Sequence, residues 1–179
     1  RRDGRARTRK VRDPRLSFPR GMRYTGAMDE MTIQERVERV EQRIAAACDR
    51  AGRERGEVTL VAVSKTHGPE RVAEAARAGL SIFGENRVQE ARAKIPLCPE
   101  HVQWHLVGHL QTNKAKYVAR LFDVVHSVDS LRVAEALDQA CEQAGRRMRV
   151  LLQVNISGET AKSGMDGDEL AGVLEQVNE

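Results

Sequence analysis

From residue 58 onward the chain alternates short apolar runs with longer amphipathic ones, five times over, and this rhythm limits the fold more than any other feature. VTLVAVSKT (58–66) precedes PERVAEAARAGL (69–80), SIFGEN (81–86) precedes RVQEARAKI (87–95), and VQWHLVGH (102–109) precedes QTNKAKYVARL (111–121). DVVHSVDS (123–130) then precedes LRVAEALDQACEQAG (131–145), and MRVLLQVNIS (148–157) precedes DELAGVLEQVNE (168–179). The first member of each pair has the length and apolar character of a buried strand; the second has the spacing of a helix. Strands alternating with helices across short connections require a parallel sheet covered by helices. Ahead of this series, Ile33, Val37, Val40, Ile44 and Ala47 mark an amphipathic helix that runs to about Ala51 and stops at Gly52. Thr32 with Glu35 three residues on forms its capping box.

Two architectures satisfy this pattern: an open doubly wound sheet and an eight-stranded barrel. No G-x-G-x-x-G follows the first strand, which weakens the nucleotide-binding open sheet. Polar residues gather instead at the C-terminal end of every strand: Ser64/Lys65/Thr66, Glu85/Asn86, His105/His109, His126/Asp129 and Asn155/Ser157. In a barrel these tips converge on one mouth, where such folds place their chemistry. The expected fold is therefore α/β, a (β/α)8 TIM-type barrel of which residues 28–179 supply about five of eight units. Five strands do not close a barrel, so the sequence is expected to be incomplete, with an exposed edge on the fifth strand.

The net charge of +4 hides a division. Residues 1–27 carry ten Lys/Arg against two acids, or +8, which leaves −4 for residues 28–179. The Arg-rich extension 1–27 lacks hydrophobic periodicity and is expected to be disordered. It reads as an RNA-binding arm, as a transit peptide, or as upstream sequence translated ahead of a start at Met28 or Met31; the initial Arg favours the last. The mildly acidic remainder points away from nucleic acid, and no apolar window is long enough for a membrane span. Three scattered cysteines, Cys48, Cys98 and Cys141, show no metal or redox spacing and indicate a reducing compartment.

Lys65 is the residue that asks for a function, because a lysine at the end of an apolar strand is costly to bury. Alternation places Thr59, Val61, Val63 and Lys65 on one face, and Val58, Leu60, Ala62 and Ser64 on the other. If the first set faces the barrel interior, Lys65 emerges at the mouth. A desolvated lysine there would be an uncharged amine able to condense with aldehydes or ketones. The competing reading is a lysine that snorkels and merely caps the strand. His105 and His109 lie about 13 Å apart on a strand, too far for one metal ion. SGETAKSG (157–164) lacks the glycine that a phosphate-binding P-loop requires before Lys162. Asp129 with His126 reads as strand-end hydrogen bonding.

Taken together, LVAVSKT, FGENRVQEA, WHLVGHLQTNK, VHSVDS and QVNISGETAKSGM, in this order and with short gaps, resemble the pyridoxal phosphate homeostasis protein family, single-domain relatives of the alanine racemase barrel. The resemblance runs from about residue 32 to the end. It implies a cytoplasmic fold-type-III barrel that binds pyridoxal 5′-phosphate (PLP) as a Schiff base on Lys65, without established catalytic turnover. Asn86, in F-G-E-N, would sit beside the cofactor ring; His105, in W-H-L-V-G, and Asn155, in Q-V-N-I-S, would line the same mouth. For these three, ordinary polar packing is the competing reading. The family's phosphate-binding S-M-G-M-S stretch and R-I-G-T-like turn do not occur in this sequence.

The expected function is intracellular PLP homeostasis, with PLP-dependent apo-enzymes as recipients and a monomer or weak dimer as the assembly. A racemase-like enzyme or a Schiff-base aldolase is the alternative. The first needs a base from a second domain, and the second needs a nearby acid/base, for which Glu85 is the obvious carboxylate. An RNA-binding module driven by residues 1–27 is the remaining rival.

Overall fold

The computed structural model describes residues 31–157, 159 and 163–177; the Arg-rich extension 1–27 and the Gly158, Thr160, Ala161 and Lys162 positions of SGETAKSG lie outside them. The compact unit is Thr32–Glu179. It opens with α1 (Ile33–Ala51), whose capping box is formed: the Thr32 hydroxyl accepts from the Glu35 N–H, and the Glu35 carboxylate accepts from the Thr32 N–H at 2.8 Å. The helix ends at Gly52 in the left-handed conformation.

Five strand–helix units follow: β1 (Ala62–Val63) and α2 (Pro69–Arg77), β2 (Ile82–Glu85) and α3 (Val88–Lys94), β3 (Gln103–Leu106) and α4 (Ala115–Leu121), β4 (Val124–Val128) and α5 (Leu131–Ala144), β5 (Arg149–Leu152) and α6 (Gly167–Val177). All strand pairs are parallel, and the spatial order is β1-β2-β3-β4-β5. This order decides between the two architectures. A doubly wound sheet reverses its strand order at a switch point, whereas a barrel adds each strand beside the last. The described residues form a barrel-type sheet.

Pleating gives the sheet two faces. Ala62, Phe83, Trp104, Leu106, Val125, Val150 and Leu152 point into the helix-covered core with Val118, Ala119, Phe122, Val133 and Leu137. Phe83 and Trp104 meet with ring centroids 5.7 Å apart. Neighbouring helices pack side by side, α3 on α4 and α4 on α5. Asp123 pins the start of β4 to β3: its carboxylate accepts from the Trp104 N–H and its own N–H donates to the Trp104 carbonyl, both at 2.8 Å. The aliphatic core follows from a composition with only 3% aromatic residues.

Two elements are shorter than the sequence suggests. The apolar run 58–66 contributes only Ala62–Val63 to the ladder. Among the described residues its neighbour in the sheet is β2, with which it pairs at Phe83 and Gly84. The run 148–157 leaves the sheet after Leu152. Beyond it the chain pairs with its own return segment: the Asn155 N–H donates to the Met165 carbonyl and the Met165 N–H to the Gln153 carbonyl, both at 2.8 Å.

Candidate functional site at the strand tips

Lys65 lies just past β1, in a turn closed by a 3.1 Å hydrogen bond from the His67 N–H to the Ser64 carbonyl. Thr66, the third residue of that turn, has φ 67°, and no other described non-glycine residue has a positive φ. A positive φ at the third turn position is the geometry of a type II turn, where glycine or asparagine is preferred. A β-branched residue there is strained, and strain of this kind costs on the order of 1–3 kcal/mol. The surroundings must hold it.

They do so from the helix side of the sheet. The Lys94 ammonium, projecting from α3, donates to the Ser64 carbonyl at 2.8 Å and to Glu85 Oε1 at 2.6 Å. The Ser64 hydroxyl donates to the same Oε1 at 2.6 Å. Glu85 is 0% exposed and Lys94 8%. The second carboxylate oxygen, Oε2, is buried without a hydrogen-bond partner among the described residues. This cluster overturns one expectation. Glu85 stands at the second strand tip, but its side chain follows Leu106, its register partner, into the helix-covered layer. Fixed there by Lys94, it is no acid or base at the mouth for an aldolase.

The opposite face carries the candidate site. Lys65 is exposed and stands two residues beyond the last residue of β1. Below it on the same face, Val63 is 47% exposed. Gly84 pairs with Val63, and a Cβ at Gly84 would meet the side chains of Val61, Val63 and Val107 at 3.3 Å. Without that Cβ, these residues form a low apolar floor across β1, β2 and the end of β3. Asn86 is half-buried and follows β2 two residues beyond Gly84, as Lys65 follows β1 two residues beyond Val63, so both stand at the same end of the β1–β2 pair. Gly108 closes in on it: a Cβ there would stand 2.1 Å from the Asn86 carbonyl oxygen, so only glycine fits. From Val107 the floor continues into a cleft of about 460 Å³, lined also by His109, Gln153, Asn155, Ser157 and Ser163.

The remaining candidates occupy different levels. Asn155 lines that cleft, but its amide is engaged by its own loop, donating to the Glu159 carbonyl at 2.9 Å and accepting from the Ser157 hydroxyl at 3.0 Å. His105 is within β3 rather than past its end, one layer beneath Val107, and is 6% exposed. Its Nδ1 lies 2.9 Å from His126 Nε2, and its Nε2 has no partner among the described residues. Burial pushes both imidazoles below their ordinary pKa; for His105 the neighbouring His126 and Arg149 act in the same direction and Asp123 opposes them. The expected Asp129–His126 contact is not formed: His126 turns to His105, and the Asp129 carboxylate lies 3.2 Å from His109 Nδ1. A register shift between Val125 and Val128 alters the facing of β4 at this point.

The geometry thus sets an accessible amine, an apolar floor and a polar cleft at one end of a barrel-type sheet. Residues 36–179 match the family model described as the alanine racemase N-terminal domain. The chain belongs to that family. Among relatives of this alanine racemase-like chain, the pyridoxal phosphate homeostasis protein of Vibrio cholerae is 40% identical over 152 residues, covering 82% of this chain and 64% of the relative. That of Pseudomonas aeruginosa is 42% identical over 149 residues, covering 83% and 65%. The solved structure of PipY from Synechococcus elongatus with PLP bound is 39% identical with a TM-score of 0.67, covering 82% of this chain and 64% of that one. The chain therefore spans just under two thirds of the length of these relatives.

PLP offers an aldehyde, a flat pyridine ring and a phosphate, and the family member described here can meet the first two. Lys65 presents a primary amine, and the Val63–Gly84–Val107 floor is low enough for a planar ring because glycine stands at its centre. Of the two residues that hold the turn, Lys94 is missed by the sequence reading and Glu85 is placed at the mouth instead of in the helix-covered layer. The signal for Lys94 is that it continues the buried Val88–Ala91 stripe of α3 at a spacing of three.

Proposed function

We propose that this chain binds PLP and serves in intracellular PLP homeostasis, holding the cofactor on Lys65 and giving it up again without turnover of its own. The observation that carries this reading is the exposed Lys65 amine, held on a strained turn beside a glycine-floored apolar surface, in a relative of proteins named for PLP homeostasis. The Lys65 amine condenses with the cofactor aldehyde, a C=N bond replacing C=O as one water leaves. No oxidant or reductant is needed, and water reverses the reaction, as holding and handing on require. Asn86, at the end of the neighbouring strand, orients the ring. Asn155 supplies polarity to the adjoining cleft. His105 acts from the layer beneath, its buried Nε2 having no hydrogen-bond partner among the described residues.

In this reading the protein works in the cytoplasm as a monomer or weak dimer, with PLP-dependent apo-enzymes as recipients. No helix among the described residues is long and apolar enough to cross a membrane. The reading is tested by loading the protein with PLP, removing free cofactor, and mixing it with an excess of a PLP-requiring apo-enzyme. Transfer that restores the apo-enzyme's activity as the lysine-bound absorption band decays supports it. A loaded protein that itself racemises amino acids, or that never develops the band, contradicts it.

A further inference from the structure

We infer that Glu85 and Lys94 are positioning residues, a buried pair on the helix side of the sheet that fixes the Ser64–His67 turn and so sets where the Lys65 amine stands. The inference rests on the proposed role of Lys65 in taking PLP. The Ser64 carbonyl accepts from two donors, the His67 N–H at 3.1 Å and the Lys94 ammonium at 2.8 Å. The Ser64 N–H is held by the Gly84 carbonyl at 2.9 Å and its hydroxyl by Glu85 at 2.6 Å. Every polar atom of the residue preceding Lys65 is thereby tied to β2, α3 or the turn itself. The next residue along, Thr66, has the positive φ that a free chain would relax. Glu85 also immediately precedes Asn86, so one carboxylate anchors the backbone leading into both residues assigned to the cofactor's surroundings.

Through the Ser64 carbonyl the Lys94 ammonium is bonded to the turn itself as well as to Glu85 of β2. The rival account, a structural pin, and the positioning account differ in what happens at the turn when the protein stays folded. The test uses Glu85→Gln/Lys94→Met, which removes both charges together, alongside Lys94→Met and a distant core control, Leu137→Ala. Two quantities are read: hydrogen–deuterium exchange at the His67 amide, and trapping of PLP on Lys65 by borohydride at sub-saturating cofactor. In the double variant both should change by about tenfold, the size expected for losing a charged hydrogen bond, exchange rising and trapping falling.

Exchange that stays within about twofold of the parent overturns the inference, as does exchange that rises while trapping is intact. A rise of equal size at His67 in Leu137→Ala also overturns it, since the turn would then report only global opening. If the parent protein traps no PLP on Lys65, the proposed function fails independently. His67 exchange still decides whether the pair holds the turn.

Discussion

Replacing Lys94 with Met should destabilise this protein far more than removing any of its other lysines. Met matches the length of the aliphatic stem but brings no charge, so Glu85, 0% exposed, would lose its cationic partner, with Oε2 without a hydrogen-bond partner among the described residues and Oε1 left with only the Ser64 hydroxyl. Stranding one member of a buried pair costs about 3–5 kcal/mol. An exposed pair such as Arg53–Glu57, each side chain 52% exposed, is worth about 0–1 kcal/mol. Against a domain stability of about 5–15 kcal/mol, the first loss is about a fifth or more and the second is hard to detect. Adding Glu85→Gln should recover most of the loss, because the amide can still accept from Ser64 and no charge is left behind. Urea denaturation of parent, both single variants and the double variant measures this, comparing midpoints at similar slopes. A loss below about 1 kcal/mol for Lys94→Met, or a double variant no more stable than the single one, would refute the reasoning.

Thr66→Gly removes a left-handed penalty of about 1–2 kcal/mol and adds about 0.5–1 kcal/mol of chain entropy, so it should be neutral to slightly stabilising. Thr66→Ala keeps the penalty, and a melt in which Ala outperforms Gly would show that the turn is not strained. The His105–His126 pair predicts acid sensitivity. Burial depresses both pKa values, whereas the unfolded chain titrates near the ordinary value of about 6.5. The unfolded state therefore binds more protons below that pH. Stability is full above it and falls as pH drops through the depressed folded values, by up to about 1.4 kcal/mol per pH unit for each proton. Denaturation midpoints between pH 7.5 and 4.5 should decline in the parent and flatten in His105→Gln/His126→Gln; a parent midpoint that rises toward acid would contradict this.

Local signals carried most of the fold. Thr32 and Glu35, Pro69 at a helix start and Gly52 at a helix end each act within a turn of their own position, and the helices begin or end there. Alternation along 58–66 also separated the two faces correctly, with Val63 on the uncovered side and Ala62 in the core. The misses arise where a residue's environment is set by another element. Glu85 read as a mouth carboxylate because nothing local announces Lys94, nine residues on and one helix away. His126 reads as a partner of Asp129, its near neighbour, whereas it lies on the same face of β4 as Val124, the register partner of His105, and meets His105 of β3. Thr66 gives no warning at all, since its φ is imposed by the network around Ser64 and not by its own preference.

The central claim is that Lys65 is the amine that takes PLP. Incubation with PLP, reduction with borohydride and peptide mapping by mass spectrometry, run beside Lys65→Ala, tests it directly. One pyridoxyl group per chain on Lys65, absent from the variant, is the expected result. Labelling scattered over many lysines and unchanged in Lys65→Ala would contradict it.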